Sequence, residues 1–108
     1  MLTAPFNDVM IASMKAKLLS RSKELLSDGS IVEMVLWQVQ ESVLGSQHCY
    51  KYSLYYGRDG TRIVAYDNER QKGDHCHIDG VELPYKFTTV EALVNDFMLE
   101  VHKRRQRK

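Results

Sequence analysis

The chain has 108 residues, 44% of them hydrophobic and 27% charged, with a formal net charge of +1. That length holds one domain with its own apolar core rather than two, and the composition excludes a globally disordered chain. No run approaches the roughly 18 apolar residues of a membrane-spanning helix, and Met1–Ser13 lacks the basic head and long apolar stretch of a secretory signal.

The expected setting is therefore the cytoplasm. Cys49 and Cys76, without CxxC spacing, read as free thiols. Lys103, Arg104, Arg105, Arg107 and Lys108 supply five of the fifteen cations, so the body ahead of them carries more acids than bases. A basic tail on a mildly acidic body suits a polyanion or an acidic partner surface. Cations at a helix end also complement the helix dipole.

In chain order, Lys15–Leu26 carries Leu18, Leu19, Ser22, Leu25 and Leu26 at a spacing that fits a helix. The Asp28-Gly29 pair just after it favours a hairpin instead, so a strand is expected there. Ile31–Val39, rich in β-branched and large residues, predicts a central strand. Tyr50, Tyr52, Leu54 and Tyr56 alternate with Lys51, Ser53 and Tyr55, the two-residue period of a half-buried strand. Gly57–Gly60 turns the chain into a strand over Thr61–Tyr66, and Asp79-Gly80 marks another turn. Pro84 limits its own segment to a sheet edge or a loop. Thr88, with Glu91 three residues on, predicts the cap of a last helix. Val90, Leu93, Val94, Phe97, Met98 and Val101 form its apolar stripe.

The run Tyr66–His77 crowds acids, bases and two imidazoles into twelve residues with almost nothing apolar, which core burial cannot explain. If Asp74–His77 is extended, His75 and His77 point to one face and Cys76 to the other. Histidine changes charge near neutral pH, so such a pair can supply both a base and an acid. Arg70 and Lys72 could hold a phosphate. These are the ingredients of metal-independent RNA cleavage, with the 2′-hydroxyl as internal nucleophile. His75 and His77 could instead hold a metal with Asp67, Asp74 or Glu69, or be surface residues in a solvated charge network. Tyr50, Tyr52 and Tyr56 read as core, leaving Tyr55 to contact a base. His48 reads as a solvated loop residue.

The blocks Tyr50–Gly57, Tyr66-Asp67-Asn68-Glu69-Arg70, Lys72-Gly73-Asp74-His75-Cys76-His77 and Pro84–Glu91 occur in an order and spacing that resembles the TumE family of toxin–antitoxin proteins. The similarity runs from about Met14 to about Val101 and leaves Met1–Ser13 outside, an extension expected to be poorly ordered, with Met14 as a second start. The resemblance implies a prokaryotic toxin silenced by a small cognate antitoxin of the helix-turn-helix type. It assigns no catalytic residue.

The expectation is an α+β domain over residues 14–108, a mainly antiparallel sheet of four to five strands packed by a C-terminal helix. Its function is expected to be that of a toxin acting as a metal-independent endoribonuclease, with no cofactor, no metal and no membrane contact. His75 and His77 would be the acid/base pair, and Asp74 or Asp67 would orient an imidazole. Arg70, Lys72, Tyr55, Arg104 and Arg105 would bind RNA. A homodimer or an antitoxin complex would be the resting state. Two alternatives stay open: a non-catalytic nucleic-acid-binding or inhibitory module, and a metal-dependent nuclease.

Overall fold

The computed structural model describes residues 16–69 and 71–106, so Met1–Ser13 lies outside the described residues. Six strands come in succession: β1 (Lys17–Leu25), β2 (Ile31–Gln38), β3 (Tyr50–Arg58), β4 (Thr61–Glu69), β5 (Gly73–Ile78) and β6 (Val81–Pro84); helix α1 (Val90–Arg105) comes last. Each strand pairs antiparallel with its neighbour in sequence, giving one sheet in the order β1 to β6. The α+β architecture is as expected, with six strands in place of four or five. The added strand is β6, a short edge piece that ends at Pro84, where a missing N–H removes no bond from a neighbouring ladder.

Hairpin chemistry explains the connections. Asp59-Gly60 and Asp79-Gly80 each place both residues at positive φ, 54° and 77° in the first turn and 52° and 86° in the second. That is the backbone of a type I′ turn, whose twist matches the strands it joins. The Asp28-Gly29 turn likewise overrides the helical spacing of the leucines before it, and β1 forms.

Side chains alternate across each strand. Tyr52, Leu54 and Tyr56 of β3, Val64 and Tyr66 of β4 and Cys76 of β5 therefore share one face, over which α1 lays Leu93, Phe97 and Val101. Each large apolar side chain buried there contributes about 1.5–3 kcal/mol. Tyr66 packs edge-on against Phe97, ring centroids 6.0 Å apart. The helix stripe is narrower than expected, because Met98 stays exposed. Its N-cap is Thr89, one residue beyond the expected Thr88. Thr89 is extended (φ −137°, ψ 162°), and its Oγ1 accepts from the Ala92 N–H at 3.0 Å, the reach an N-cap needs. Glu91 then lies in the first turn and complements the dipole instead of closing a capping box. No helix among the described residues is long and apolar enough to cross a membrane.

Candidate functional site

The face of the sheet opposite α1 carries the polar run. Register fixes which residues meet there: Asp67 of β4 pairs with His75 of β5, and Ala65 with His77, which in turn pairs with Glu82 of β6. Glu69 lies two residues past Asp67 on the same side. Five ionisable side chains from three adjacent strands thus converge on one face, and the two imidazoles share it as the sequence predicts, ring centroids 5.3 Å apart and edge to face.

His75 is the centre of this group and only 3% exposed. Its Nε2 lies 2.7 Å from Asp67 Oδ1, 3.6 Å from Glu69 Oε1 and 3.8 Å from Glu82 Oε2. Its Nδ1 sits 3.0 Å from the Gly73 carbonyl oxygen. A carbonyl can only accept, so Nδ1 carries the proton and Nε2 presents its lone pair to the carboxylates in the neutral ring. Despite the 2.7 Å separation, Nε2 and Oδ1 are both buried without a hydrogen-bond partner. The ring nitrogen is close to the oxygen but is not aimed at it.

Cations border the cluster. Lys72 Nζ lies 3.1 Å from Glu82 Oε2 and 4.0 Å from Glu69 Oε1, and the Glu82 bond raises the lysine pKa while lowering that of Glu82. Lys51, half-buried on β3, has its pKa lowered by desolvation, an effect that the charges of Asp67 and Glu69 oppose. Sequence reading missed this lysine as a site residue, although it alternates onto the same face as Ser53 and Tyr55. Arg62 Nη2 donates to His77 Nδ1 at 3.2 Å, which leaves the neutral His77 ring its proton on Nε2.

Asp74 does not join its neighbour His75. One residue earlier on the strand, it projects to the helix side. There it accepts from the Tyr52 hydroxyl (2.7 Å) and the Ser46 hydroxyl (2.7 Å), and lies 2.6 Å from His48 Nε2. The imidazole it orients is therefore that of His48, while the His75 ring is held by the Gly73 carbonyl, with Asp67 beside it but not hydrogen-bonded to it. His48 in turn stacks on Phe87 with centroids 3.8 Å apart, so it is not the solvated loop residue expected. Burial first, and then the Asp74 bond, raise the Tyr52 pKa. Asn68, fully buried beside them, donates to the Tyr50 carbonyl (2.7 Å) and to Ser46 Oγ (3.3 Å), and accepts from the Tyr52 N–H (3.0 Å).

The remaining expected contacts scatter. Tyr55 lies in the row of Ala65 and His77, but its hydroxyl leans over Gly57, away from Asp67; a Cβ at Gly57 would collide with it. Arg70 lies outside the described residues. Arg104 and Arg105 are carried by α1, across the sheet from the imidazoles. Arg104 donates to both carboxylate oxygens of Asp79 (3.2 and 2.9 Å) and to Glu100 Oε1 (2.6 Å) with only 9% of its side chain exposed, which ties the helix end to the β5–β6 turn. Arg105 sits 3.9 Å from Asp28. An anion reaching Arg104 has to displace these partners.

The cluster can do two kinds of chemistry: take up a proton on a carboxylate beside the Nε2–H donor of His77, and hold a cation among the carboxylates and His75. Two groups meet the geometry of a metal set, His75 with His77 and Glu82, and His75 with Asp67 and Glu69. No curated protein and no solved structure matches the chain. A family model described as Toxin TumE matches residues 15–105, which takes in β1 through α1 and every residue of both polar clusters. By that match, covering far more than half of its length, the chain belongs to the TumE toxin family, and a toxin of this kind has an antitoxin as its partner.

Proposed function

We propose that this toxin arrests growth by cleaving RNA on the open face of the sheet. The observation that supports the reading best is the convergence of His77, His75, Asp67, Glu69 and Glu82 on a face that α1 leaves uncovered. Structural charge networks seldom bring two imidazoles and three carboxylates together with a buried nitrogen left unpaired.

The two imidazoles take different roles. His75 is too enclosed to meet a substrate and acts through its carboxylate neighbours. His77 is half-exposed, and with Arg62 on Nδ1 its neutral ring holds a proton on Nε2. In the reaction the 2′-hydroxyl loses its proton to the carboxylate side of the cluster and its oxygen attacks phosphorus. The bond to the 5′-oxygen breaks and that leaving oxygen takes a proton from solvent water, while the neutral His77 ring donates its Nε2–H as a hydrogen bond to the phosphate oxygens. The products are a 2′,3′-cyclic phosphate and a 5′-hydroxyl. Lys51 and Lys72 set positive charge on either side of the acids. The partner that keeps the toxin silent is, in this reading, a helix-turn-helix antitoxin.

The test is induced expression of the chain and of His77→Ala in bacteria, with growth and mapped transcript 5′ ends as readouts. The unsubstituted chain stops growth and accumulates fragments beginning with a 5′-hydroxyl; His77→Ala loses both, by about 100-fold or more in cleavage rate. Arrest by the unsubstituted chain with an intact transcript pool would refute RNA cleavage.

A further inference from the structure

We propose that Asp67, Glu69 and His75 form a binding site for a first-row transition-metal dication of the Mn²⁺ or Zn²⁺ class. The proposal replaces the metal-free acid/base pair expected from the sequence. It rests on the RNA-cleavage reading only for what the cation does, and not for whether it binds.

Four observations carry it. Asp67 and Glu69 project from one strand at the i, i+2 spacing that puts both carboxylates on one face, and His75 faces them from the next strand. Their ligand atoms all lie within 4.8 Å of one another. Metal–ligand bonds of about 2.0–2.2 Å set neighbouring ligand atoms about 3.0–3.4 Å apart, and the distances from His75 Nε2 are 2.7 Å to Asp67 and 3.6 Å to Glu69. The Asp67 Oδ1 and His75 Nε2 atoms are sealed from solvent without hydrogen-bond partners. In the neutral ring, with its proton on Nδ1, the Nε2 and Oδ1 lone pairs this close together repel, and a cation seated off the line joining them resolves both. Finally, His75 Nδ1 is tied to the Gly73 carbonyl, the second bond that fixes the tautomer of metal-bound histidines and turns Nε2 toward the ion.

The donor set selects the ion. One imidazole and two carboxylates suit Mn²⁺, Fe²⁺, Co²⁺ or Zn²⁺, whereas Mg²⁺ and Ca²⁺ prefer oxygen alone. Three protein ligands leave positions open to water, as catalytic centres do. His77 stays outside the set because Arg62 occupies its Nδ1, and Glu82 lies close enough to hold a bound water. The ion also supplies the positive charge that a phosphodiester needs before it can approach three carboxylates.

The experiment uses the full chain, freed of any purification tag and stripped with a chelator, titrated separately with MnCl₂, ZnCl₂ and MgCl₂ by calorimetry. Thermal melts accompany each titration. One equivalent of Mn²⁺ or Zn²⁺ binds, the melting temperature rises with concentration, and MgCl₂ binds at least tenfold more weakly. Glu69→Gln, at an exposed position that tolerates the change, and Asp67→Asn each weaken binding about 10- to 100-fold or more, the range seen when metal-site partners are removed. On binding, the ¹⁵N signal of His75 Nε2 shifts while Nδ1 keeps its proton. Absence of saturable binding to the millimolar range, or binding that Glu69→Gln and Asp67→Asn leave unchanged, would overturn the site. A chain that binds the ion yet leaves RNA intact sinks the nuclease reading alone; one that cleaves RNA fully after chelation removes the ion from the reaction.

Discussion

Asn68→Ala is the most demanding test of how the site is held. Asn68 is enclosed on all sides, and it stands where β3 and β4 part: the last ladder pair on that side is Ser53 with Asp67. Its side-chain amide continues the ladder by receiving the Tyr52 N–H at 3.0 Å and donating to the Tyr50 carbonyl at 2.7 Å, with a weaker bond to Ser46 Oγ at 3.3 Å. Truncation to Ala strands two backbone groups in a dry environment at about 1–3 kcal/mol each, plus a small cavity, for a loss of about 3–5 kcal/mol. Against a total stability of roughly 5–15 kcal/mol, that is a large fraction. The single tryptophan, Trp37, serves as a fluorescence probe of urea unfolding. Ser46→Ala, which removes the long bond from Asn68 and the 2.7 Å bond to Asp74 but leaves both backbone groups satisfied, is the comparison and should cost less, about 1.5–3 kcal/mol. If Asn68→Ala unfolds within about 1 kcal/mol of the parent protein, the amide is not the strand connector described, and the positions of Asp67 and Glu69 beside it must be fixed by something else.

Two further outcomes concern groups outside the site. Hydrogen bonds from the Ser30 hydroxyl and backbone, then Arg58, hold the Asp28 pKa at about 2. A folded-state value below the unfolded one of about 3.9 means that the contribution is complete above that value and fades as pH falls through 2. Urea midpoints of Asp28→Asn should therefore decline less steeply than those of the parent below about pH 4. Parallel acid limbs in the two proteins would contradict the assignment. As for the thiols, Cys49 is exposed, whereas burial raises the Cys76 pKa. Iodoacetamide at neutral pH should modify Cys49 readily and Cys76 only on unfolding, since the thiolate is the reactive form. Equal labelling rates, read by mass spectrometry, would contradict the burial.

What the sequence disclosed was whatever depends on neighbours along the chain. Alternation of Tyr52, Leu54 and Tyr56 gave the buried face of β3, Asp-Gly pairs gave the hairpins, and the His75–His77 spacing gave their common side. The same parity rule already excluded Asp74 from their company, since adjacent strand residues face apart. Groups whose partners lie far along the chain were beyond such reasoning. His48 meets Asp74, 26 residues on, and Arg104 meets Asp79, 25 residues back. Neither pairing leaves a mark in local composition, so His48 read as a solvated loop residue and Arg104 as an RNA contact. Lys51 was visible in the strand pattern, but its closeness to Asp67 and Glu69 required knowing that β3 and β4 pair.

The order of the elements has a bearing on biosynthesis. Strands that join only their immediate predecessors can assemble progressively as the polypeptide leaves the ribosome, because little loop-closure entropy must be overcome. The covering helix is made after all six strands. Until it docks, the side chains of Leu54, Tyr56, Val64 and Tyr66 face water, and a nascent product interrupted before Val90 is a greasy sheet fit for proteolysis or aggregation.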